Sequence, residues 1–249
     1  MNKVSIIIPI LNEADIIDDL LQHLLDNSSK ENISEIIVVD GGSTDSSQVI
    51  VETFMSGRAQ SRPQDNLSTA LKEANILLIN SECGRAKQMN IGAKNASGDI
   101  LYFLHADSFP PKEFDYNIIR QVKKGNIAGC FRMKFDSTHP ILKISQWFTR
   151  FNFIICRGGD QSLFITKAIF NSLNGYNETF TVYEDCELIN RIYGHYSFTI
   201  IDDYVITSAR RYAQNSTWKL QYHFAIIHLK KWLGASAEEL HRYYKKNIA

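Results

Sequence analysis

The stretch GDILYFLHADSFPP, residues 98–111, changes chemistry within a few positions. Ile100, Leu101, Tyr102, Phe103 and Leu104 read as a strand buried on both faces. The run stops on His105-Ala106-Asp107, and Pro110 and Pro111 follow. Residues i and i+2 of an extended chain point to the same side. His105 and Asp107 can therefore face one partner together: a metal, a phosphate held through a metal, or solvent at a strand end.

Upstream, the same kind of apolar run occurs at Val4–Ile10, Ile36–Val39 and Ile76–Ile79. Helical spacing lies between the runs: Ile16, Leu20, Leu21 and Leu24 within Glu13–Leu25, and GRAKQMNIGAKNASG, closed by Gly98 as a left-handed cap. Ser43 or Thr44 suits the N-cap of a helix between the second and third runs. Strands alternating with helices imply an α/β fold with a parallel sheet. In such sheets ligands bind beyond the carboxyl ends of the strands. Asn12-Glu13, Asp40 and His105–Asp107 each follow a strand, so they are expected to cluster. The polar stretch between Phe54 and Ile76 reads as a surface excursion with a short helix at Ser68–Glu73.

Downstream, IAGCFRMKF reads as a strand and His139–Ile155 as an aromatic-rich helix. GGDQSLFITKAIFNSLNGY reads as a turn, a strand and a helix ended by Gly175. YEDCELINRIYGH reads as a helix with acids in its first turn, which suits the dipole.

At 249 residues and 44% hydrophobic, the chain has enough apolar content for a sizeable core. Lys plus Arg and Asp plus Glu are both 27, so bulk charge names no partner. From Tyr204 onward eight basic residues stand against Glu238 and Glu239 alone, which suits phosphate, an anionic lipid surface, nucleic acid or a solvated helix. We expect no nucleic-acid partner. Cys83, Cys130, Cys156 and Cys186 form no CxxC pair and read as free thiols of a reducing compartment. The opening MNKVSIIIPILNE lacks signal-peptide features, and no stretch reaches the ~18 apolar residues of a membrane span. The expected location is cytoplasmic, extending to the inner face of the membrane.

SIIIPILNE, VVDGGSTD, GRAKQMNIGAKNASGDILYFLHAD and YEDCELINRI occur in the order and spacing of the family-2 glycosyltransferases. The chain resembles in particular a bacterial subgroup with GRAKQMN, FLHAD, GDQSLF and SARRY at these places. The resemblance implies a GT-A fold: a Rossmann-like, mostly parallel sheet flanked by helices. We expect this domain over residues 1–210, divided into a nucleotide-binding half (1–107) and an acceptor half (108–210). A helical extension is expected over 211–249.

It also implies sugar transfer from a nucleotide-diphosphate sugar, UDP-linked, to an acceptor, with Mn²⁺ or Mg²⁺ and inversion. On this resemblance Pro9, Asn12, Glu13 and Asp40 contact the nucleoside, although Pro9 equally fits a strand exit and Asp40 a helix cap. Gly41 stands where the commoner family pattern has a second acid. Arg85 and Lys87, at a helix start, suit the diphosphate, and either Arg210 or Arg211 closes over it.

His105-Ala106-Asp107 takes the place of the family's Asp-x-Asp. Asp107 is then the expected metal ligand, and His105 a ribose contact, a Mn²⁺ ligand or a neutral strand-end residue. Asp185 is the expected base, supported by Glu184. Gly158, Gly159, Asp160 and Gln161 are expected to hold the sugar or acceptor. Two alternatives remain: a nucleotidyltransferase, which would release pyrophosphate, and a nucleotide-sugar-binding protein without turnover.

STWKLQYHFAIIHLKKWLG carries two apolar stripes. The Trp218, Tyr222, Leu229 and Trp232 face is expected to dock on the catalytic domain. The Leu220, Phe224 and Ile227 face is then left for a homodimer partner or a peripheral membrane contact, which a lipid-linked acceptor would suit. SAEE, Ser236–Glu239, reads as a capping box opening a further helix.

Overall fold

β1 (Val4–Ile10) is buried at every position, as a β-branched run covered on both faces must be. In the computed structural model, which describes residues 2–56, 75–210, 212 and 216–248, it is the inner strand of a parallel half-sheet. β2 (Ile33–Asp40) and β4 (Ile100–Phe103) flank it, and β3 (Ile76–Asn80) lies beyond β2. The register sets Ile10 opposite Asp40 and Asp40 opposite Asn80, so the carboxyl ends of three strands are level.

Residues 108–210 continue the same sheet. β7 (Leu163–Thr166) runs antiparallel to both β4 and β6 (Ala128–Phe135). β8 (Thr199–Thr207) lies parallel to β6, and the two-residue β5 (Ser108–Phe109) closes the edge against β8. The full order is β3-β2-β1-β4-β7-β6-β8-β5. Four of the seven pairings are parallel, so the alternation seen upstream governs mainly the N-terminal half.

Each face of the sheet has its own core. Ile6 and Ile8 pack toward α1 (Ile17–Asn27), α2 (Ser47–Met55) and α4 (Phe114–Lys123) through Leu20, Leu24, Phe54 and Phe114. Ile7 and Leu101 pack toward α3 (Arg85–Asn95), α6 (Lys167–Ser172) and α7 (Glu184–His195) through Met89, Phe170, Leu188 and Ile192. Burying each such side chain stabilises by about 1.5–3 kcal/mol, which explains why the two central strands β1 and β4 are almost entirely apolar.

Several boundaries differ from the sequence reading. α1 begins at Ile17 rather than Glu13, because Asn12 turns left-handed at φ 56° and residues 11–16 form a loop. α2 begins at Ser47, because Ser43 bonds Asp40 and Thr44 bonds Asn12 instead of capping the helix. Gly98 is no helix cap: a Cβ there would lie 2.7 Å from the Lys3 carbonyl and Ser5 Oγ, so glycine is needed for close approach to β1. The helix expected over His139–Ile155 is α5 (Pro140–Phe148) followed by a 3₁₀ turn, Ile154–Cys156. The helix expected at Ser68–Glu73 lies outside the described residues.

The C-terminal pair, α8 (Thr217–Trp232) and α9 (Ala237–Asn247), corrects a further expectation. Leu220 and Ile227 are 3% and 2% exposed, whereas Trp218 and Trp232 are 69% and 81% exposed. The inward face of α8 is thus the Leu220/Phe224/Ile227 face. Ile227 and Phe224 meet Phe180 and the α9 residues Leu240 and Tyr243, and this cluster decides which stripe is buried. The capping box at Ser236 and Glu239 is present.

Candidate active site

A cavity of about 280 Å³ opens at the carboxyl ends of β1 and β4, lined among others by Pro9, Glu13, Arg85, His105, Asp107 and Arg210. β4 ends at Phe103, and Leu104 N–H still bonds the Ile7 carbonyl, which delivers His105 and Asp107 to the rim. β5 pairs Ser108 with Thr207, and Ser208 N–H bonds the Asp107 carbonyl. That short edge strand explains how Arg210, about a hundred residues away in sequence, arrives beside Asp107. Its Nη2 is 2.5 Å from Glu13 Oε2 and 3.7 Å from Asp107 Oδ2. Arg211 lies outside the described residues.

Burial raises the Asp107 carboxyl above its ordinary value, with His105 and Arg210 compensating in part. Burial likewise raises Glu13 despite its bond from Arg210. Two acids share one cation here, and Asp107 stands beyond hydrogen-bond distance of that cation. A hard divalent cation is what such a carboxylate suits. Among the described residues, no group of three His, Cys, Asp or Glu side chains could hold a metal ion by itself.

His105 sits between two carboxylates, with Nδ1 3.5 Å from Asp160 and Nε2 3.4 Å from Asp185. Burial disfavours its charged form, but the two acids outweigh that and push its pKa up to about 10. Asp185 is buried too, yet the bond and charge of His105 hold it below the ordinary carboxylate range. To ligate a metal, His105 would first have to lose its proton and one of these partners. Gly159 packs directly on this pair, since a Cβ there would fall within the Asp185 carboxyl group and 2.7 Å from His105 Cε1.

Glu184 and Asp185 open α7, where the dipole favours acids. Arg85, at the first position of α3, places Nε 2.6 Å from Glu184 Oε1. The alignment is poor for a hydrogen bond, and both Glu184 oxygens lack an aligned donor. Burial raises Glu184 and Arg85 counters it. Lys87 instead pairs with Glu82 on the surface, 2.5 Å away, and does not line the cavity.

Asp40 is fully buried and accepts from Gly42 N–H, Ser43 N–H and Oγ, and Gln48 Nε2. Burial works against its charge, but these donors hold it below the ordinary range. Asp40 thus organises its own loop. Asn12 ties the loop after β1 to this one by accepting from Thr44 N–H at 2.8 Å. Gln161 turns away from the cavity: it accepts from Arg157 Nη1 at 2.6 Å and donates to the Cys156 carbonyl at 2.5 Å.

Three structural residues escaped the sequence reading. Gln88 donates to the Ile10 and Val39 carbonyls, both at 2.8 Å, and clamps the ends of β1 and β2. A Cβ at Gly41 would lie 3.0 Å from that amide, so Gln88 occupies the space a second acid would need. Asn90 donates to the Tyr176 carbonyl and accepts its N–H, fixing the loop that leads to α7. Arg157, 3% exposed, spans Cys130, Gln161, Thr149 and Phe151. The partners of Gln88 and Asn90 are carbonyls of Ile10, Val39 and Tyr176, 49 to 86 residues away, so GRAKQMN alone carries no signal for either task.

The profile of glycosyl transferase family 2 matches residues 5–175. The chain belongs to glycosyl transferase family 2. Among curated relatives, undecaprenyl-phosphate 4-deoxy-4-formamido-L-arabinose transferase of Proteus mirabilis is 28% identical over 134 residues, 53% of this chain and 37% of the relative. The chain spans less than half the length of the curated relatives it matches. Among solved structures, S. aureus TarS 1–349 in complex with UDP superposes with a TM-score of 0.66 at 20% identity, over 83% of this chain and 60% of that one. Mannosyltransferase PcManGT from Pyrobaculum calidifontis, in complex with GDP-Man and Mn²⁺, superposes at 0.68 and 17% identity, over 98% and 69%. Both show that the fold is GT-A.

Proposed function

We propose that this family-2 chain transfers a sugar from a UDP-linked donor to an acceptor hydroxyl with inversion. The observation that carries the reading is the gathering of Asp107, Arg210, Arg85 and His105 at one cavity beyond β1 and β4, with Asp185 3.4 Å from His105. Asp185 takes the acceptor proton as the hydroxyl oxygen bonds the anomeric carbon. The bond to the diphosphate breaks and its electron pair leaves with the nucleoside diphosphate. His105 keeps Asp185 ionised and oriented. Arg210 and Arg85 supply cations where the leaving group gains charge. Asp107 would hold Mn²⁺ or Mg²⁺ jointly with the diphosphate; bound there, the ion neutralises the leaving group.

A lipid-linked acceptor at the inner face of a membrane is the acceptor class we favour, supported by two relatives named for lipid-linked substrates: the undecaprenyl-phosphate transferase of Proteus mirabilis and a dolichyl N-acetyl-alpha-D-glucosaminyl phosphate glucuronosyltransferase of Methanococcus voltae, 28% identical over 127 residues. No helix among the described residues is long and apolar enough to cross a membrane. The test is product analysis with UDP- and GDP-sugars, with and without Mn²⁺. Release of UDP is expected, whereas pyrophosphate from a nucleoside triphosphate would indicate nucleotidyl transfer. Asp185→Asn should bind donor as the parent does and lose about 10²- to 10⁴-fold in turnover. If it keeps most of the parental rate, Asp185 is not the base.

A further inference from the structure

The segment from α5 through the 3₁₀ turn is built inside out. Its side chains that bond back to the sheet and the neighbouring loops are mostly polar and satisfy backbone. Gln146 accepts from Phe135 N–H, Thr149 from Met133 N–H, and Asn152 donates to the Phe198 carbonyl. Arg157 binds the Thr149 and Phe151 carbonyls, both at 2.6 Å. Leu142 is the one fully buried side chain of α5. The outward side chains are Ile144, Trp147, Phe148, Phe153, Ile154 and Ile155, with Phe153 64% and Ile155 74% exposed. Trp147, Phe148, Phe151 and Phe153 form a continuous set of ring contacts, with centroids 4.9–6.4 Å apart. Contiguous apolar surface of this kind marks an interaction site, and the polar anchors prevent the segment from turning it inward.

The charges choose the occupant. No acid occurs from Ser137 to Gly159, while Lys143 and Arg150 are exposed beside the rings. Arg150 lies over the Trp147 ring, 4.9 Å from its centroid. Trp and Phe mixed with Lys and Arg suit the headgroup layer of an anionic bilayer. An isologous contact between two copies would bring the same cations together with no carboxylate in the segment to answer them. The position is also apt. Arg157 joins the segment to the Gly158–Gln161 turn, whose Asp160 lines the cavity. On the other side Tyr212, also at the cavity, packs with Leu142 and accepts from Gln221 of α8.

We propose that Pro140–Cys156 is a membrane-docking surface that seats the cavity mouth on the headgroup layer of an anionic bilayer. The proposal deepens the lipid-linked acceptor reading, and its test needs no turnover. The full chain is spun with vesicles of phosphatidylcholine, with or without phosphatidylglycerol. The parent should sediment with the anionic vesicles and less with the neutral ones, and binding should fall as salt rises. Phe153→Ser with Ile155→Ser should lower the bound fraction about tenfold. Lys143→Glu with Arg150→Glu should lower binding to anionic vesicles alone, by about fivefold or more per cation. UDP binding should be unchanged in both, which separates this surface from the donor site. If loss of the Phe151–Phe153 stacking unfolds the first variant, Ile144→Ser with Ile155→Ser reads the same surface. A parent that ignores anionic vesicles overturns the proposal, as do apolar variants that bind like the parent. A parental dimer that the apolar variants dissociate overturns it too, because the occupant is then a second copy.

Discussion

A methyl group at residue 159 would fall within the Asp185 carboxyl group, at the point where α7, the 158–161 turn and β4 converge. Gly159→Ala must therefore displace either Asp185 or His105. Misplacing a catalytic group by about 1 Å commonly costs about 10² in rate. Turnover should fall by at least that factor while UDP affinity stays close to parental, as read by steady-state kinetics and titration calorimetry. Glu35 offers a test at the other end of the strands. It accepts from Ser5 and Ser97, and these bonds overcome the burial that would raise it, leaving its pKa below the ordinary 4.5. A depressed carboxylate stabilises the fold above its unfolded pKa, and that contribution is lost as pH falls through the folded value. Urea midpoints measured from pH 6 to pH 3 should therefore drop more steeply for the parent than for Glu35→Gln.

At the scale of elements, α8 is the clearest test of packing. Its sequence period marks two stripes, but a period says nothing about which stripe finds a partner. Phe180 and Leu240 settle that in favour of Ile227 and Phe224, and Leu220 on the same face borders the cavity. Ile227→Ala should cost about 2–5 kcal/mol, whereas Trp232→Ser, on the exposed face, should stay within about 0.5 kcal/mol. Equal losses in urea denaturation would mean that both faces are covered in solution. α3 shows the reverse situation. Its start at Arg85 was legible from GRAKQMN, while the buried tasks of Gln88 and Asn90 depended on carbonyls of β1, β2 and the 175–178 loop.

At the scale of the whole molecule, donor binding should tie the two halves of the sheet together, because the cavity is lined from both. A ligand at 100 times its Kd adds about 2.7 kcal/mol to stability. For a chain of this size that corresponds to a rise in Tm of about 5–10 °C. UDP with Mn²⁺ should produce such a rise by thermal shift, UDP with chelator less. Asp107→Ala should abolish the difference between the two. A variant that keeps the full metal-dependent rise would remove Asp107 from the metal site.

What the sequence determined by itself was the local chemistry. Four β-branched or apolar runs separated by helical spacing can bury their surface only as a sheet covered on both faces, and polar residues at the ends of such runs must gather at one edge. The place of His105 and Asp107 at a strand end was legible for that reason, whereas Asp185 was singled out by the motif order alone. Tertiary structure alone decided who faces whom. The β5–β8 pairing brings Arg210 to Asp107 and Glu13, and Gly159 seats His105 between Asp160 and Asp185. It also turned Asp40 into a loop anchor, Gln161 inward and Lys87 outward. A side chain's charge is written in the sequence, but its neighbours come from segments tens to hundreds of residues away, and those neighbours set its protonation, its reach and its access to a ligand.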